Sequence, residues 1–364
     1  PAPAPAPIGG LGGSYAPNAY LAALPDRSWT QIPNSKMTAV ASRMFYNGVS
    51  TCCGFAFYAY SGAVKDRLHG LVYFWGGGHG DYYGNEVYTF DLKTLRWTRL
   101  TDPSPLSGPE CESFNNTPRL SDGQPKSRHT YDQMAYIEHQ NKVWAHGGSI
   151  CGSGGGISDM WSFNPTTLTW TDLSHWQYVW SANLARSAEY DPQTKKIYYF
   201  YEEGLKIFDP DTNAWTTPQF INLIHPSEHA AVLDPYTRKI VLYGGWDFSN
   251  QVSVFDIDTR TVTYPSVPAQ LPKVRGPGWT FDLKNRLFMA FGGYGGEGYN
   301  DRAVRYYDVS TNTWFADNVP GAPNLLGPAY ERFVYDDVNE VTYYFRSEYE
   351  DVWVLKNKNP RPQP

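Results

Sequence analysis

Apolar and polar positions alternate along this chain in short runs, and the runs recur in one register. An aromatic on a predicted strand is followed seven positions later by Trp: Phe90 and Trp97, Phe163 and Trp170, Phe208 and Trp215, Tyr307 and Trp314. Phe255 and Val262 form a degenerate copy. Between the members of each pair lies a turn such as Asp91-Leu-Lys-Thr, Asn164-Pro-Thr-Thr or Asp209-Pro-Asp-Thr. Asp, Asn, Pro and Thr are turn formers, so each copy predicts a strand–turn–strand hairpin. A second hairpin precedes each of these. Its second strand often ends in paired glycines, as in Val72-Tyr-Phe-Trp-Gly-Gly, Val143-Trp-Ala-His-Gly-Gly and Phe288-Met-Ala-Phe-Gly-Gly.

Four strands per unit make each unit one blade of a β-propeller. Trp97, Trp170, Trp215, Val262 and Trp314 mark five outer strands. The sixth unit stops one strand short, at Val352-Trp-Val-Leu355. The missing strand stands at the other end, as Ser28-Trp-Thr-Gln-Ile32, which matches Arg96-Trp-Thr-Arg-Leu100. The fold class predicted is therefore all-β, a six-bladed propeller whose ring is closed by the N-terminal strand. Closure leaves few exposed strand edges. The Gly pair and Trp at fixed places resemble the kelch repeat, over roughly residues 28–355. That resemblance implies an innermost strand lining a central channel, with the loops before it and after the Gly pair opening on one face. Residues 1–27 read as a Pro/Ala/Gly-rich lead-in and 356–364 as a non-structural tail. The start, PAPAPAP, reads as a mature or trimmed terminus.

Composition agrees with an all-β chain: 16% aromatic, with 28 Tyr, 18 Phe and 13 Trp. The net charge of −6 and the lack of a long basic run argue against nucleic acid as a partner. No apolar stretch approaches the ~20 residues of a membrane helix. A closed ring needs no partner strand, so a monomer is expected. All four cysteines (Cys52, Cys53, Cys111, Cys151) fall near the long loops of the first two blades. An even number of loop cysteines suggests disulfides and an oxidising, secreted setting, with three connectivities open.

Elaborated loops on a rigid scaffold tend to carry function. The long loops are Thr101 to Ser127, Ser149 to Ser158 and His79 to Asn85. Polar and aromatic side chains expected on that face are His79, Asp81, Tyr82 and Tyr83 from the first blade, and His129 and His146 from the second. The third offers Arg186, Tyr201, Glu202 and Glu203; the fourth, His229 and Trp246; the fifth, Arg275, Tyr294 and Glu297; the sixth, Tyr330, Glu331 and Arg346. Arg186, His229 and Glu331 each lie five residues before the Asp of the next turn, so they are expected to share one layer. His146 occupies the place of Trp75, Tyr243 and Phe291, so it reads equally as a packed ring. His229 reads as structural, and Arg186 and Arg275 as possible partners of acidic neighbours. His79 and His129 match no repeat-wide position, which favours function.

This set suits β-elimination of an acidic polysaccharide. Such chemistry needs a cation on the uronate carboxylate, a base, and an acid for the departing oxygen. Arg matches a carboxylate with its planar fork, and His and Tyr move protons. The arrangement resembles secreted propeller lyases acting on ulvan and on rhamnose–glucuronate linkages, in which two His of neighbouring strands work with a Tyr and an Arg. The resemblance implies catalytic His129, His146, His79, Tyr82 and Arg186. Arg275, Tyr83, Tyr201, Trp246, His229, Tyr294, Tyr330 and Arg346 would bind substrate. The chain departs from those lyases in having six blades rather than seven, and Arg186 then Glu202 where a Tyr then an Arg is expected. A non-catalytic carbohydrate-binding propeller would use the same residues. A glycoside hydrolase would draw on Glu202, Glu203, Glu331 and Asp81. A metal enzyme would need His79, His129 and His146 as ligands, but no close-spaced motif supports one, so no cofactor is expected.

Overall fold

The computed structural model describes residues 13–41, 60–79, 82–113, 117–173, 184–202, 204–216, 219–221, 223, 227–246, 250–295 and 302–360, and the backbone strands Phe45–Tyr46 and Val49–Ser50. It is a six-bladed β-propeller, as the repeat predicts. Each blade is an antiparallel sheet of four main strands. The innermost strands are Val64–Asp66, Met134–Ile137, Ser187–Asp191, His229–Asp234, Gly278–Asp282 and Phe333–Asp336.

The turns explain why each hairpin forms. The leading Asp or Asn of the turn accepts the backbone N–H groups two and three residues on: Asp91 from Lys93 and Thr94, Asn164 from Thr166 and Thr167, Asp234 from Tyr236 and Thr237, Asp308 from Ser310 and Thr311. This local side-chain bond builds the bend that the strands follow.

The seven-residue Trp register packs one blade on the next. Where a blade carries the outer-strand Trp, it sits against the second-strand ring of the blade before it. Ring centroids are 5.6 Å apart for Trp97 and Phe345, 4.6 Å for Trp170 and Trp75, and 5.8 Å for Trp314 and Tyr243. Trp29 does the same against Phe291 at 4.7 Å, although it comes from the other end of the chain. Its strand Ser28–Gln31 pairs antiparallel with Trp353–Lys356, completing the sixth blade.

Packing extends past 28–355 at both ends, which differs from the expected lead-in and tail. The helix Ala19–Ala23 is capped by Asn18 and buries Leu21. The ammonium of Lys356 donates to the carbonyls of Leu21, Ala22 and Leu24 at 2.7–2.9 Å, joining the Leu24 N–H on the first and satisfying acceptors at that helix's end. Asn357 is buried against Tyr306 and Asp317. A charged Lys and an Asn near the end of the chain read as tail because their partners are over three hundred and about fifty residues away.

Candidate functional site

At one end of the channel, the chain enters the inner strands through left-handed residues: Tyr131 (φ 48°), Ala185 (φ 56°), Glu228 (φ 56°), Gly276 (φ 50°) and Tyr330 (φ 43°). Such angles are uncommon for residues other than Gly. They hold because the backbone N–H of one blade bonds the matching carbonyl of another. Tyr131 donates to Tyr60, Glu228 to Ala185 and Gly276 to Glu228, each at 2.7 Å, and Tyr330 donates to Gly276 at 3.2 Å. The result is a collar of side chains around the mouth. At Gly276 a side chain is excluded, since a Cβ would lie 2.7 Å from the Tyr330 ring.

Arg275 is the centre of this mouth. Its guanidinium lies over the rings of Trp246 and Tyr294, at 4.6 and 4.9 Å. Those two rings are 55% and 47% exposed, whereas the Arg275 side chain is 13% exposed. Its Nη2 donates to the Tyr60 hydroxyl at 3.2 Å, and its Nε stands 3.1 Å from Glu228 Oε2. Glu228 is buried, and burial raises its pKa to about 7 against the opposing pull of Arg275. Tyr60 is half-buried, with its ring 5.2 Å from His129, and His129 meets the exposed His79 at 4.7 Å. Tyr131 contacts His129, Tyr60 and Tyr330. Tyr330 is fully buried, its hydroxyl makes no hydrogen bond among the described residues, and it feels the charges of Glu228 and Arg275. Burial raises the pKa of both Tyr131 and Tyr330, so both are neutral donors at ordinary pH.

His129 is held by its surroundings. The strand Arg128–His129 pairs with Ser149–Ile150. Gly148 (φ +93°) lets the chain pass there, because a Cβ would fall 2.4 Å from the His129 carbonyl. Cys151 follows directly and is bonded to Cys111. Arg128 is buried in an ion pair with Asp159 at 2.6 Å and donates to the Gly147 carbonyl.

The structure thus brings together His79, His129, Arg275, Trp246, Tyr294 and Tyr330 from the expected set. It places others elsewhere. His146 packs in the interface between the second and third blades, against Tyr199, Trp215 and Trp144 at 4.7, 5.4 and 5.6 Å. Its Nδ1–H donates to the Asp159 carbonyl at 2.9 Å. Burial lowers its pKa to about 4, so it is neutral near pH 7. Its contact with Trp215 is the counterpart of Trp170 on Trp75, the packed-ring alternative. Tyr82 is buried with its hydroxyl on Glu86 at 2.5 Å; Tyr83 is half-buried. Arg186 is buried beside Glu202 at 3.3 Å. Tyr201 is buried under the Lys206 ammonium. His229 is buried with Nδ1 2.6 Å from Ser187 Oγ, a structural setting. Arg346 lines a separate surface pocket with Gln31, Lys36, Tyr349 and Trp353, and pairs with Glu350. Asp81, Glu203, Glu297, Cys52 and Cys53 lie outside the described residues. No group of His, Cys, Asp or Glu among the described residues is placed to hold a metal ion.

Tyr60, Tyr131 and Glu228 are the mouth residues that the sequence reading did not select. Glu228 alone carried a repeat signal, since it stands one position before His229 as Ala185 and Tyr330 stand before Arg186 and Glu331.

No family model matches the chain. It is 23% identical over 263 residues to acyl-CoA-binding domain-containing protein 4 of Arabidopsis thaliana. That similarity takes in 69% of this chain and 36% of the relative, so the chain spans about a third of that protein's length.

Proposed function

We propose that this propeller is a secreted polysaccharide lyase that cleaves a uronic-acid-containing glycan by β-elimination at the collar mouth. The observation that carries this reading is Arg275, a guanidinium framed by two exposed aromatic rings and bonded to Tyr60, whose ring touches His129. Arg275 would bind the uronate carboxylate and draw charge from it, which acidifies the adjacent C–H. Trp246 and Tyr294 would stack on sugar faces. His129 and Tyr60 would share the two proton transfers. The C–H electron pair forms the new C=C bond, the bond to the glycosidic oxygen breaks, and that oxygen takes a proton from the acid. His146 is given no chemical role, because its ring is committed to the blade interface. The Cys111–Cys151 bond supports an oxidising compartment.

The test is to incubate the protein with a panel of acidic polysaccharides and follow the ultraviolet absorbance of the conjugated product. The expected result is a rise that persists with chelator and falls about a hundredfold or more in His129→Ala. Binding without any new chain ends would favour the carbohydrate-binding alternative, which the exposed Trp246 and Tyr294 also suit.

A further inference from the structure

In the mouth, the cation that a uronate would use already has a carboxylate beside it. Glu228 Oε2 lies 3.1 Å from Arg275 Nε, and among the described residues that oxygen accepts no directed hydrogen bond. The pair is close but poorly aligned, and Glu228 is 3% exposed. A buried carboxylate in this state depends on its cation. Two rings, Glu228 and Tyr60 already surround the guanidinium, so an incoming carboxylate must share Arg275 with Glu228 or displace it.

We propose that Glu228 is an internal stand-in for the substrate carboxylate, so that binding of a carboxylate ligand at Arg275 is coupled to uptake of one proton by Glu228. The inference rests on the carboxylate-binding role given to Arg275 above. The physical reason is that two carboxylates cannot both stay ionised on one guanidinium in a buried site. The proton goes to Glu228, because the ligand's carboxylate has access to water and to the Tyr60 hydroxyl. The charged and titratable groups facing Glu228 are Arg275 from the fifth blade, Tyr131 from the second and Tyr330 from the sixth. Tyr60 reaches it through Arg275, with His129 and His79 beyond. Both Tyr131 and Tyr330 stay protonated, so neither competes for the proton. Burial has already raised the Glu228 pKa to about 7, which puts the further rise on ligand binding into the neutral to mildly alkaline range.

The consequence is a pH-dependent affinity of known sign. Below about pH 7 Glu228 is already protonated and binding takes up nothing. Above it, each ligand bound takes up a proton, and affinity falls about tenfold per pH unit.

The probe is a glucuronate-containing oligosaccharide, with its carboxyl-reduced counterpart as control. Calorimetric titration of the full chain above about pH 7, in buffers of different ionisation heat, counts the protons exchanged and needs no variant. Close to one proton taken up per glucuronate oligosaccharide, and none with the reduced one, is the expected result. In Glu228→Gln the uptake and the pH slope should both vanish while binding remains. No uptake in the wild type, or the same slope in Glu228→Gln, overturns the proposal. Unsaturated products without proton uptake would leave the lyase reading standing and sink this inference. Proton-coupled binding without products would do the reverse. Absence of binding by the glucuronate oligosaccharide overturns both.

Discussion

At the scale of single residues, the mouth and the blade interface set opposite conditions for ionisable groups. His146 shows the second. A buried imidazole that stays neutral costs stability when pH falls, because the unfolded chain takes up a proton that the folded one refuses. Its pKa is about 4 in the fold and ~6.5 unfolded. The stability it contributes is complete above about pH 6.5 and is lost as pH falls toward 4, by up to about 3 kcal/mol. His146→Phe should flatten that slope in urea unfolding followed across pH, since Phe291 and Phe345 fill equivalent places. An unchanged slope would show that His146 is not the group responsible. Arg275 answers to the other condition. Arg275→Lys keeps the charge but loses the planar fork, and it should cut kcat/KM on an acidic glycan by about ten- to a hundredfold. Wild-type kinetics in the Lys variant would remove Arg275 from the account. The sequence showed Arg275, Trp246 and Tyr294 as candidates because their types are chemically telling. It did not single out Tyr60, Tyr131 or Glu228, because a collar position is defined by backbone angle and by partners in other blades. Those partners lie up to 215 positions away, as for Arg275 and Tyr60.

At the scale of elements, the hairpins were legible because their causes are local. An Asp followed by Thr within three or four residues builds the turn, and a Trp seven positions after an aromatic packs the interface. The same register places His146 among packed rings and not with His129, although both belong to the second blade. The strand that carries His129 depends on more distant support. Its partner Ser149–Ile150 is pinned by Cys151, whose bond to Cys111 closes a loop of separation 40. In the chain-entropy view that closure is worth about 4 kcal/mol. A Cys111→Ser, Cys151→Ser double variant should melt at lower temperature. Its remaining folded fraction should show a larger loss of turnover than of glycan binding, because Trp246, Tyr294 and Arg275 stand on other blades. Equal loss of both would contradict the separation of roles.

At the scale of the whole molecule, closure of the ring holds the collar in register. The six blades and the closing strand could be read from the recurring outer-strand motif, with Val262 as its degenerate copy, since Trp29 repeats it. The reach of the packing could not, because Lys356 and Leu21 meet only once the ring is closed. Trp29→Ala removes a ring packed against Phe291, and it should cost about 3–5 kcal/mol. Lys356→Met removes the ammonium from the carbonyls of Leu21, Ala22 and Leu24 and should also lower the melting temperature. If either variant melts like the wild type, the terminal strand is not the clasp described.

The claim on which the account turns is elimination at the mouth, and it can be read from a single digestion. An acidic polysaccharide on which the protein is active is cut in heavy-oxygen water, and the product ends are weighed by mass spectrometry. Elimination at the mouth predicts fragments with an unsaturated uronate at one end and no heavy oxygen gained at the cleaved bond. Heavy oxygen built into the new reducing end, with a saturated uronate at the other, would mean hydrolysis and would contradict it.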